Sequence, residues 1–268
     1  MQTNEDVILM RALRAEDADR FGSAGAVLTA VGIVLSGPIG LMAVTLTHPA
    51  APWTSAEAYA RQFHWVQTLP FYAGFVLLAG CIMLMAALFS VADDAQRPRA
   101  AAALLATAAF MALIAFNYIC QTTFVPALAR GYEPAFASAI STLSLQNPKS
   151  LAWAIEMWGY GLFGIATWLM APVLDRTPVE RAASRLMIAN GVMSLVGGFV
   201  TTIRLDWVTT TAGMVSYGLW NVLMLALAAL LVATFRARMA TRSHDRPPAT
   251  SAHASPIGHA RHEIRANG

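Results

Sequence analysis

Residues 101–128 read AAALLATAAFMALIAFNYICQTTFVPAL, 28 residues without a single Asp, Glu, Lys or Arg. An α-helix rises 1.5 Å per residue, so about 20 apolar residues cross a hydrocarbon core roughly 30 Å thick. A helix of this length in water would carry a charged and polar stripe along one side, and this one has no charge at all. Five further runs are long and apolar, at about 22–47, 67–91, 151–174, 182–203 and 212–235, the third and fourth of them with one charge each, Glu156 and Arg185. None shows the alternation over about 10 residues that a membrane barrel strand requires. The prolines and glycines inside the runs (Gly37, Pro38, Gly40, Pro70, Gly74, Gly80) are compatible with spanning helices, because neighbouring helices can satisfy the freed backbone groups. The pattern predicts an all-α, polytopic integral membrane protein: a bundle of six transmembrane helices over residues 22–235.

The whole composition agrees. Of the 268 residues, 57% are apolar and 12% charged, against about 25% charged in ordinary globular chains. A secreted disulfide scaffold, a disordered protein and a nucleic-acid-binding domain are excluded. The net charge of +3 calls for no nucleic acid, because the excess sits in a terminal tail. Cys81 and Cys120 fall inside spans and read as small apolar packers. Residues 1–21 carry Glu5, Asp6, Arg11, Arg14, Glu16, Asp17, Asp19 and Arg20 around a four-residue apolar stretch. A signal peptide needs a basic start and a longer apolar run, so this segment predicts a charged cytoplasmic helix or tail. The polar residues 236–268, with His244, His253, His259 and His262, predict a disordered cytoplasmic tail.

Basic residues near span ends favour the cytoplasmic side. Arg11, Arg14 and Arg20, Arg97 and Arg99, Arg176, Arg181 and Arg185, and six tail arginines fall on one side. Only Arg61, Arg130, Lys149 and Arg204 fall on the other. This bias predicts both termini in the cytoplasm. Trp53, Trp65, Tyr132, Trp153 and Trp207 gather near the opposite boundary, where amphipathic rings prefer to sit. Arginine outnumbers lysine 17 to 1, which points to a GC-rich bacterial genome and hence to a bacterial inner membrane.

One acidic side chain lies well inside a span. Glu156, in LAWAIEMWGY over 151–160, is five residues from the outer end of its run, roughly 8 Å deep. An ionised carboxylate at a helix centre costs about 2.5–3.5 kcal/mol on insertion scales, so it is expected to face the bundle interior. Residues four apart share a helix face, which aligns Asn117 with Gln121, Glu156 with Tyr160, and Tyr217 with Asn221. Topology sets Asn117, Gln121, Glu156, Tyr217 and Asn221 in the outer half, with Gln67 and His64 at the rim and Tyr160 also lining the pocket. The expectation is an outward-facing polar pocket that binds, senses or moves a small ligand or ion, with Glu156 central. Two structural alternatives stand beside it. One is interhelical glue, the reading preferred for Ser194 and Gly198, and the other an ion pair between Glu156 and Arg204. A structural or assembly subunit, with polar faces against partner helices or a second copy, is the rival from another class.

An enzyme is disfavoured, since no acid–base pair assembles. No cofactor is called for, because no span holds a core histidine for haem and the one lysine, Lys149, lies in a loop. His48, Glu57 and His64 lack the spacing of a metal site. The letters Gly159-Tyr160-Gly161-Leu162-Phe163-Gly164 mimic a dinucleotide loop, but they lie mid-span with no preceding strand.

Overall fold

In the computed structural model the described residues, 4–244 with side chains from Ala15 onward except Ser243, are helical with no strand. Ten α-helices follow one another: α1 (Asn4–Val34), α2 (Gly40–Thr47), α3 (Ala56–Gln62), α4 (Leu69–Ser90), α5 (Arg97–Ile119), α6 (Val125–Arg130), α7 (Ala137–Leu143), α8 (Leu151–Met170), α9 (Pro178–Ile203) and α10 (Thr211–His244). Wide turns link α1 to α2 and α5 to α6 without breaking the run. Five stretches are long and apolar enough to cross a membrane: Ala15–Thr47, Trp65–Ser90, Arg97–Arg130, Pro178–Ile203 and Thr211–Arg242. This is the make-up of a multi-pass membrane protein.

The sixth expected span is where composition and length part. Helix α8 has 20 residues, enough for about 30 Å. Glu156, three tryptophans, Tyr160 and three glycines leave it less apolar than the other five. The three glycines are buried within the bundle, while Trp158 and Trp168 lie on its exposed surface.

Six helices close a ring in chain order. α1 packs on α4, α4 on α5, α5 on α8, α8 on α9, α9 on α10, and α10 returns to α1. The core between them holds Leu88, Phe110, Phe163, Met170, Leu231 and Phe235. The outward surface is greasy: Ile203 is 88% exposed, Leu46 76% and Leu105 75%. Apolar side chains displayed on that scale require a non-aqueous surround.

Asp19 of α1 and Arg242 of α10 meet at one end of the bundle, called here the terminal end; the other is the loop end. The terminal end is tied by ions. Arg242 of α10 pairs with the buried Asp19 of α1. Arg238 Nε donates to Glu180 Oε1 of α9 at 2.9 Å, while Glu180 Oε2 accepts from the Arg176 backbone at 2.8 Å. This corrects the expected tail. Residues 236–244 continue α10 as helix because Arg238 and Arg242 are anchored in the bundle; residues 245–268, and the histidines there, lie outside the described residues.

At the loop end, α3 and α7 pack against each other and α6. The connection between α7 and α8 is stapled to the bundle by Gln121. Its Nε2 donates to the Leu143 carbonyl at 2.7 Å, and its Oε1 accepts from the Leu145 amide at 3.0 Å. Two irregular turns shape this half. Cys120–Phe124 forms a wide turn just ahead of Pro126, and Leu35–Ile39 forms another around Pro38. A proline has no N–H to return to the preceding turn, so the helix bends there. Beyond the bend α2 packs on α4, while α10 packs along α1 on the terminal side of it.

Candidate functional site

Between the ring helices lies a cavity of about 900 Å³, running from mid-bundle at Leu77, Ser194 and Trp220 to the loop end at Ala50, Gln146 and Val208. Glu156 is the only charged side chain among its lining residues. Its carboxylate is held from one side. Asn117 Nδ2 donates to Oε2 at 2.7 Å, and the Tyr118 hydroxyl reaches Oε1 at 3.3 Å. The Tyr118 and Tyr160 hydroxyls are 3.2 Å apart. A carboxylate offers about four acceptor positions, so two remain for the cavity. Among the described residues no basic side chain pairs with Glu156. Arg204 instead binds Asp206 at 2.9 Å, and that hydrogen bond holds the exposed Asp206 carboxyl below its ordinary range.

The structure divides the residues singled out from the sequence. Glu156, Tyr160, Gln121, Gln67, Tyr217 and Asn221 all line the cavity. Asn117 is buried behind it. Its amide is saturated by the Ala152 carbonyl at 3.1 Å and by Glu156, and its Oδ1 accepts from Gln121 at 3.3 Å. Asn117 therefore positions Glu156, and Gln121 positions the loop. Gln67 spans to the His48 carbonyl at 3.4 Å. Tyr217 and Asn221 lie against Gly37, at the bend in the first span, where a side chain would collide with them. His64 does not reach the cavity. Its ring stacks on His48 with centroids 3.4 Å apart and planes 1° from parallel, and Glu57 is taken by Arg61. Tyr59 of α3 covers the loop end of the cavity, and burial pushes its hydroxyl up to about 12.

Among the lining residues that the sequence reading did not single out, Tyr118 and Trp220 matter most. Tyr118 neighbours Asn117 in sequence but turns about 100° around the helix toward α4, where Gly74 leaves room for its ring. Trp220 stands edge-on to Tyr160, with centroids 5.0 Å apart at 77°, and its Nε1 donates to Asn190 Oδ1 at 2.9 Å. Asn190 also receives Ser194 at 3.3 Å and donates to Thr167 at 2.9 Å. That node ties α8, α9 and α10 together, which is the glue role expected of the Ser194 face. Compared with protein-family models, with curated proteins and with solved structures, the chain finds no match.

Proposed function

We propose that this chain is a bacterial inner-membrane protein of six spans, both termini cytoplasmic, whose cavity opens outward and receives a small ligand there. Binding the ligand serves sensing or transport, with Glu156 as the anchoring group. One observation carries the reading: among the described residues, the sole charge lining a cavity of about 900 Å³ is a carboxylate fixed by two donors and paired with no cation. Ligand sites occupy roughly 300–1,000 Å³ and combine apolar walls with few convergent polar groups. Ionisable groups at membrane depth commonly mark such sites. The basic residues at span ends support the orientation.

The test is chemical access. With Cys81 and Cys120 replaced by alanine, Met193→Cys puts a thiol on the cavity wall about 15 Å from the loop end of α9. The purified protein is expected to react there with a small polar methanethiosulfonate, whereas a second protein that keeps Cys81, which is buried, and has only Cys120 replaced by alanine stays inert. A Met193→Cys thiol as unreactive as Cys81 would favour the assembly-subunit reading.

A further inference from the structure

The cavity's chemistry narrows the ligand class. Its walls carry nine aromatic side chains and no Lys, Arg or His. Glu156 receives both of its donors from the α5 side, which leaves the remaining lone pairs directed to the cavity. An anionic ligand would meet an uncompensated carboxylate, and nothing basic lines the walls to receive it. A neutral ligand would leave the carboxylate without a counter-charge. A cation satisfies it, and aromatic rings supply a second attraction: Tyr160 and Trp220 line the same cavity as Glu156, with Trp220 fixed by Asn190. Aromatic faces attract cations electrostatically, and more strongly where water is excluded.

The remaining walls are greasy. Leu41, Val196, Val200 and Met214 line the cavity, and Leu41, Val196 and Met214 also belong to the molecule's exposed apolar surface. Leu41 lies on α2, Val196 and Val200 on α9 and Met214 on α10, so three helices around the cavity carry this apolar wall. A ligand with an apolar body can therefore reach the cavity from the surrounding lipid.

We infer that the cavity binds a lipophilic organic cation, an amine or quaternary onium group on an apolar body, with the charge between Glu156 and the Tyr160–Trp220 rings. The inference rests on the cavity being a ligand site. The matched ions tetraphenylphosphonium and tetraphenylborate test it, since they share a shape and differ in sign. The full chain is placed in lipid nanodiscs, with protein-free nanodiscs correcting for partition. Tetraphenylphosphonium binds saturably and tetraphenylborate does not; Glu156→Gln weakens the cation by about tenfold or more, and Ser216→Trp, which fills the cavity wall, weakens it too. If Glu156→Gln aggregates, Trp220→Leu, which leaves the hydrogen bonds to Glu156 in place, replaces it with the same expectation. Equal binding of both ions, or unchanged cation affinity in Glu156→Gln, overturns the cation assignment; blocking by Ser216→Trp would then leave the ligand site standing. No saturable binding of the cation also overturns the assignment, and the reactivity of Met193→Cys then reports separately whether the cavity reading fails with it.

Discussion

Glu156 is tolerable at this depth because two neighbouring side chains solvate it, and those neighbours differ in what they hold. Asn117 joins Ala152, Glu156 and Gln121, so Asn117→Ala frees three partners at once. Tyr118→Phe loses only the hydroxyl shared with Glu156 and Tyr160. A neutral hydrogen bond contributes about 1 kcal/mol and one to a charged group about 1.5–3 kcal/mol. Thermal unfolding in detergent is expected to show Asn117→Ala more destabilised than Tyr118→Phe, by roughly 1–2 kcal/mol; equal losses would mean that Asn117 does not organise the cluster. Glu156, Asn117 and Gln121 were legible in the sequence because polar residues are rare in apolar runs and four-residue spacing aligns them. Tyr118 and Trp220 were not, because aromatic residues are ordinary in membrane helices, and only the facing Gly74 and Asn190 reveal their direction.

At the scale of elements, the tightest contact is α1 on α4. A methyl group on Gly32 would run into the backbone of Leu77, and one on Gly80 into the backbone of Thr29. In a membrane, helices associate through such close approach rather than through hydrophobic burial. Overpacking a fitted contact costs typically 1–3 kcal/mol, so Gly32→Val is expected to lower the unfolding midpoint clearly, while Gly218→Ala, with open space around it, leaves it unchanged. The bend at Gly37–Pro38 does a different job. Pro38→Ala restores the missing donor; α2 is then expected to straighten toward α10, and a thiol at Ser216 to react more slowly. An unchanged rate would show that packing on α4, and not the proline, sets the direction of α2. Sequence reading treated Gly37 and Pro38 as harmless interruptions. Their consequence depends on α2 finding α4 as its partner, which no local pattern announces.

For the whole molecule, the two ends are built for opposite tasks. At the terminal end, Asp19–Arg242 and Glu180–Arg238 close the ring between α1, α9 and α10. Removing one member of a buried pair strands a charge and costs about 3–5 kcal/mol. Arg238→Ala is therefore expected to destabilise the protein far more than Arg61→Ala, whose ion pair with Glu57 is exposed and worth about 1 kcal/mol or less. The all-α bundle followed from long apolar runs alone. The ion pairs at the terminal end did not, since Arg238 and Arg242 read as the start of a polar tail until Glu180 and Asp19 were found opposite them. The cavity was invisible too, because volume belongs to the ring and not to any helix. Sidedness is the property on which the account turns, and one measurement reaches it directly. In cells of a cysteine-free background, Ser216→Cys lies on the cavity wall and Thr241→Cys at the terminal end, both open to a membrane-impermeant thiol reagent. The account predicts that reagent added outside intact cells labels Ser216→Cys and spares Thr241→Cys, and that inverted membrane vesicles reverse the result. Labelling of Thr241→Cys from outside, with Ser216→Cys protected, would contradict it.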